Sequence, residues 1–223
     1  MGSALFWIAL AVGVVDWFAA LRSMKQVRYI TKPLTLILLI IWFSLMGRWQ
    51  GNLVWFGAGL VLSLAGDVLL MLPERFFVAG LGAFLGGHVC YIIGFTANVT
   101  PLGWEAGLIT LVLIGLAVWI IRPVVRTLQT SEMNRDMVFP VIGYASVITI
   151  MLISAVTTLV RPDWKFEPAT LVAIGAALFF ASDSMLAKNR FVHSIKYGDF
   201  LVMMTYHLGQ FAIASGVLLH FVK

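Results

Sequence analysis

The chain has 223 residues, 61% of them hydrophobic and only 11% charged, with a mean hydropathy of +0.98, a composition that excludes an ordinary soluble domain and indicates a polytopic membrane protein. The net charge of +5 would point a soluble protein toward nucleic acid. Here the basic residues cluster between apolar segments, where they orient spans, so no nucleic-acid partner is expected.

A hydrocarbon core about 30 Å thick takes roughly 20 apolar residues per helix, which leaves no length for a soluble domain beside the spans. Eight spans are predicted, at about 4–21, 33–47, 52–72, 77–97, 104–121, 138–160, 168–187 and 199–221. The expected fold is an all-α helix bundle forming one transmembrane domain over residues 1–223. The first span lacks a basic start and carries Asp16 and Trp17, so it reads as a retained helix rather than a cleaved signal peptide. The second is short and can begin earlier, near Tyr29. The third carries Asp67 directly after Gly66. The fourth, FVAGLGAFLGGHVCYIIGF, holds His88 and Tyr91 three residues apart and therefore on one helix face, with the side chains expected to share a cavity. Gly82 and Gly86 in that span have the spacing at which a neighbouring backbone approaches closely. Cys90, the one cysteine, has no internal disulfide partner and forms no thiolate cluster. The seventh span carries Ser182 and Asp183, and the eighth opens at Asp199 and contains Tyr206 and His207.

With eight spans both termini lie on one side, and the loops divide the 15 Lys and Arg residues unevenly. One set of loops holds eleven of them, including Arg22, Lys25, Arg28, Lys32, Arg75, Arg122 and Arg190; the other side holds Arg48, Arg161, Lys165 and Lys223. The positive-inside rule makes the first set cytoplasmic and both termini non-cytoplasmic. Asp16, Asp67 and Asp183 then sit four or five residues before the cytoplasmic ends of their spans, roughly 6 to 8 Å in. Asp199 lies at the same face, His207 about two turns deeper and His88 near mid-span, which together describe a polar wedge entering from the cytoplasm. Charges in hydrocarbon are costly and usually mark a functional site. The competing structural reading, pairing with loop cations or neighbouring helices, suits Asp16 and Asp199 best.

A weak internal repeat links the other two acids. SLAGDVLLMLPERF, residues 63–76, leads into the helix with His88, and FFASDSMLAKNRF, residues 179–191, leads into the helix with His207. Sites commonly form where such halves meet. There is no HExxH or other metal-ligand spacing, no P-loop, no dinucleotide fingerprint and no GxSxG elbow, so neither a metal nor a cofactor is expected.

Four stretches carry a resemblance over nearly the whole chain: Lys32-Pro33-Leu34-Thr35, AGDVLLML from Ala65 to Leu72, GxxxFLGGHVCY ending at Tyr91, and GAALFFASDSMLAKNRF from Gly175 to Phe191. In these the sequence resembles the YhhN-like proteins, which include the lysoplasmalogenases. The resemblance implies a multi-pass membrane hydrolase, in a bacterial inner membrane, that cleaves the vinyl ether bond of lysoplasmalogens to a fatty aldehyde and a glycerophospho-head group. Its partners would be a lysophospholipid substrate and membrane lipids. The family's polar motif residues fall on Lys32, Asp67, His88, Tyr91, Ser182, Asp183 and Arg190. Vinyl ethers hydrolyse by acid attack at the β-carbon, and a carboxylic acid in an apolar setting can remain protonated and donate. Asp67 and Asp183 are the expected pair, with His88 positioning water or moving protons. Lys32 and Arg190 are expected at the lipid phosphate, and Tyr91, Ser182, His207, Tyr206, Asp16 and Asp199 elsewhere around the substrate. The rival from another class is a proton- or cation-coupled transporter or lipid-binding protein using the same acids.

Overall fold

The structure, a computed structural model, describes residues 2–97, 102–133 and 135–222. Lys223, counted among the orienting charges above, lies outside the described residues. Among the described residues, eight helices are each long and apolar enough to cross a bilayer. They are α1 (Gly2–Leu21), α2 (Lys25–Gly47), α3 (Leu53–Met71), α4 (Phe77–Thr96), α5 (Trp104–Thr130), α6 (Val138–Val156), α7 (Phe166–Phe191) and α8 (Gly198–Phe221). Short 3-10 turns precede α4 and α6 and follow α6. Helices are what an apolar chain forms in lipid, where every backbone N–H and C=O must find a partner within its own segment. Hydroxyls follow the same logic: those of Thr35, Ser44 and Thr205 bond carbonyls one turn back in their own helices.

Three helices extend past the spans read from hydropathy. α2 begins at Lys25 rather than near residue 33, α5 continues to Thr130, and α7 continues to Phe191. Hydropathy registers only the apolar part of a helix, whereas backbone hydrogen bonding carries on through the basic ends. Asp183 accordingly lies eight residues before the end of α7, about two turns, and Asp67 four residues before the end of α3. Pro33 sits inside α2, where its missing N–H leaves the carbonyl one turn earlier without its helical partner.

The tightest pairings are α7 with α8, α3 with α4 and α1 with α2. α8 also packs on α1, α2 and α3 and is the most buried span; α5 leans on α6 and α7 and is the least. At the α7–α8 crossing, a Cβ on Gly175 would stand 2.8 Å from the Gly209 carbonyl oxygen, so backbone meets backbone there. The expected close approach at Gly82 and Gly86 is not found. A Cβ on Gly82 would meet nothing within 4 Å, and one on Gly86 only the Leu62 side chain at 3.3 Å. The seam with α3 runs instead through Gly87, whose Cβ would lie 3.2 Å from the Gly59 carbonyl oxygen. Helix rotation, which spacing does not specify, decides which glycine faces the partner.

On the face opposite the basic loops, Arg161 donates to the Phe95 carbonyl at 2.6 Å and pairs with Asp163 at 2.7 Å. Trp164 stacks on His220 with ring centroids 3.8 Å apart. These contacts pin α4, the α6–α7 connection and the end of α8 together, leaving the other half of the bundle to open around a cavity.

Candidate active site

That cavity has a volume of about 710 Å³. Toward the basic face its wall carries Lys25, Arg28, Lys32, Arg190 and Asp199; deeper, it carries Asp67, Asp183, Ser182, Tyr144 and Tyr206. Beyond these the wall is apolar, built from α5, α6 and α7 by residues such as Ala117, Ile148 and Phe180. The site is thus charged at its mouth, acidic at its waist and apolar in its depth. α3 and α7 reach this waist because both run toward the basic face and end near it, and Gly66 and Ser182 ahead of the acids are small enough to let neighbours close in.

Asp67 is fully buried and held from two sides. The Lys32 ammonium stands 3.1 Å from its Oδ1, and the Tyr206 hydroxyl donates to Oδ2 at 2.9 Å. Both charges of the ion pair are shielded from solvent, with side chains 7% and 1% exposed, so loss of either partner would strand the other in a low-dielectric interior.

Asp183 is set differently. Its Oδ2 receives the Tyr144 hydroxyl, and His88 Nε2 lies 3.3 Å from the same oxygen and 3.0 Å from the Tyr144 oxygen. Its side chain keeps 13% exposure to the cavity, and among the described residues no group bonds Oδ1. One oxygen is therefore anchored and the other faces the chamber.

The two halves of the repeat interlock. Asp67, on the first copy, is met by Tyr206 of α8, the returning helix of the second; Asp183, on the second copy, is met by His88 of α4, the returning helix of the first. The helix before each acid adds a further group, Lys32 from α2 and Tyr144 from α6.

Of the residues singled out from the sequence, Asp67, Asp183, Ser182, Tyr206, Lys32, Arg190 and Asp199 line the cavity. Ser182 spends its hydroxyl on the Val202 carbonyl at 3.0 Å, tying α7 to α8. Arg190 pairs with Glu74 and lies over the Phe77 ring, and Arg28 pairs with Asp199 at 3.3 Å across the mouth. His88 stands one layer back, touching the cavity only through Asp183 and Tyr144. Tyr91, Asp16 and His207 are buried away from it. Tyr91 donates to Gln210 Oε1 at 2.6 Å, so it and His88 do not share a chamber. One helix face is wide enough to touch two neighbours, and Tyr91 turns to α8 while His88 turns to α6 and α7. Asp16 accepts from Thr31 at 2.7 Å, and His207 Nδ1 accepts the Trp17 indole N–H at 3.0 Å, which joins α1 to α2 and α8. Among the described residues no three His, Cys, Asp or Glu side chains gather as metal ligands.

Tyr144 and Arg28 were not singled out from the sequence. Tyr144 is the one hydroxyl-bearing aromatic in its span, at a depth like that of the acids, which is the signal that marks it. Arg28 shares an α2 face with Lys25 and Lys32 at helical spacing.

The YhhN family model matches residues 27–217. Among curated proteins the chain is 28% identical to the "uncharacterized membrane protein YhhN" of Escherichia coli O157:H7, over 96% of this chain and 100% of that one. It is 27% identical to human "lysoplasmalogenase TMEM86B" over 92% of this chain and 77% of the human one, and 30% identical to bovine "lysoplasmalogenase TMEM86A" over 70% and 62%. No solved structure matches it. With the family match running from α2 into α8, across every residue of the cavity wall named above except Lys25, the chain belongs to the YhhN family.

Proposed function

We propose that the protein is a membrane hydrolase that cleaves the vinyl ether bond of lysoplasmalogens, releasing a fatty aldehyde and a glycerophospho-head group. The observation that carries this reading is that Asp67 and Asp183, from helices far apart in the chain, stand on the wall of one cavity in unlike settings. The names of the mammalian relatives support hydrolysis rather than transport. Residues 1–223 act as a single transmembrane domain, with the basic face in the cytoplasm, both termini on the other side, and the cavity mouth toward the inner leaflet.

The order of groups along the cavity matches the order of groups along a lysoplasmalogen. Lys25, Arg28, Lys32 and Arg190 hold the phosphate at the mouth, the vinyl ether lies at the acids, and the alkenyl chain follows the apolar depth. Asp183 is the proton donor, through the Oδ1 that faces the chamber. Its proton forms a C–H bond at the β-carbon as the C=C electrons move toward the ether, giving an oxocarbenium ion. Tyr144 and His88, both on Oδ2, stabilise the carboxylate left behind. Asp67, paired with the Lys32 ammonium and bonded by the Tyr206 hydroxyl, takes a proton from the water that adds to the oxocarbenium carbon. The hemiacetal then collapses: its C–O bond to glycerol breaks, Asp67 returns its proton to the leaving alcohol, and the hemiacetal hydroxyl proton goes back to Asp183.

Purified protein incubated in D2O with matched alkenyl, alkyl and acyl lysolipids tests this. The expected result is aldehyde from the alkenyl lipid alone, carrying one deuterium on the carbon next to the carbonyl. Free fatty acid from the acyl lipid, or aldehyde without deuterium, would contradict the mechanism.

A further inference from the structure

Four apolar residues have a double position. Ile114 and Val118 on α5, and Ile142 and Ile150 on α6, line the cavity and are at the same time 45%, 57%, 41% and 48% exposed. Apolar cavity-lining side chains exposed to this degree mark a stretch of wall that no second layer of protein closes over. α5 is also the span least covered by the rest of the bundle, its contacts being chiefly with α6 and α7. The cavity-lining stretch of α6, residues 141–153, covers roughly 18 Å along the helix, more than half the hydrocarbon core.

The chemistry of the crevice suits a hydrocarbon chain and not a head group. Its two aliphatic hydroxyls on α6 are turned inward to their own helix: Ser146 donates to the Ile142 carbonyl at 2.9 Å and Thr149 to the Ala145 carbonyl at 2.6 Å, while the Tyr144 hydroxyl is taken up by Asp183. The basic groups lie at the mouth on the basic face, and the two acids at the waist.

We infer that the α5–α6 crevice is a lateral portal through which the alkenyl chain of the substrate enters from the bilayer and the aldehyde product leaves into it. This rests on the hydrolase reading above and adds the route to it. A chain lying in an open crevice ends in lipid rather than against a closed pocket floor, so the enzyme measures the head group and the vinyl ether and sets no upper limit on chain length.

The test uses full-length protein in lipid vesicles and two alkenyl lysolipids, one long-chained and membrane-partitioned, one short-chained and water-soluble. Val118→Trp and Ile142→Trp place bulk across the crevice from either side, and Val112→Trp places the same bulk on the lipid face of α5 away from the cavity. The ratio of long-chain to short-chain kcat/KM should fall by about tenfold or more in each crevice variant and stay at the wild-type value in Val112→Trp. Short-chain turnover in the same samples reports that the variants are folded. An equal fall for both chains, no fall in either crevice variant, or an equal fall in Val112→Trp would overturn the portal. Absence of aldehyde from both lipids with the wild-type protein would instead sink the hydrolase reading itself.

Discussion

Asp67 and Asp183 show how one side chain acquires two roles from its surroundings. Asp67 is enclosed and paired with a cation; Asp183 has one anchored oxygen and one that faces the chamber. Hydrogen bonds to a charged group contribute about 1.5–3 kcal/mol, so Tyr144→Phe should lower kcat by roughly 10- to 100-fold while KM stays near its wild-type value. Steady-state kinetics on the alkenyl lysolipid check this, and an unchanged kcat would remove Tyr144 from the mechanism. Tyr91 presents the opposite case. Its hydroxyl serves Gln210 and not the cavity, so Tyr91→Phe should cost about 1–3 kcal/mol of stability by leaving a buried amide oxygen unpaired, with KM unaltered. Detergent melting curves run alongside kinetics separate the two effects. At the mouth, Arg28→Ala should raise KM about tenfold with little change in kcat, as expected for a group placed to hold the phosphate and set apart from the two acids.

The helices were legible from hydropathy in number and order, because eight apolar runs of bilayer length leave few other readings. Their ends were not, since Lys25, Arg28 and Arg190 stay helical while contributing nothing to an apolar signal. The glycine seams were half legible. Small-residue spacing marks a helix that packs closely, but Gly82 faces open space while Gly87, five residues on, faces α3. The structure turns this into contrasting expectations. Gly175→Ala sets a methyl against the backbone of α8 and should lower stability by about 1–3 kcal/mol or more, with a lower melting temperature in detergent. Gly82→Ala has room and gains helix propensity, so its melting temperature should hold or rise, by up to about 1 kcal/mol of stability.

Across the whole molecule, the repeat explains why the two acids converge: each is completed by a returning helix from the opposite copy, so the site exists only when the halves are docked. The acids were visible in the sequence because a charge in hydrocarbon is conspicuous. Tyr144 and Gln210 were not, because a neutral polar group costs far less to bury and leaves no comparable mark. The basic face is the cytoplasmic one in this account. A membrane-impermeant thiol reagent applied to intact cells in a Cys90→Ala background should therefore label Gln50→Cys, and should reach Ser194→Cys only after permeabilisation. The reverse pattern would invert the topology. The central claim, that two carboxyl groups in one membrane cavity hydrolyse a vinyl ether, is tested most directly by aldehyde release from the purified wild-type, Asp67→Asn and Asp183→Asn proteins in the same detergent. The account predicts turnover by the wild type and losses of about 10²- to 10⁴-fold in both variants, with folding retained; a folded variant of either kind that keeps the wild-type rate would contradict it.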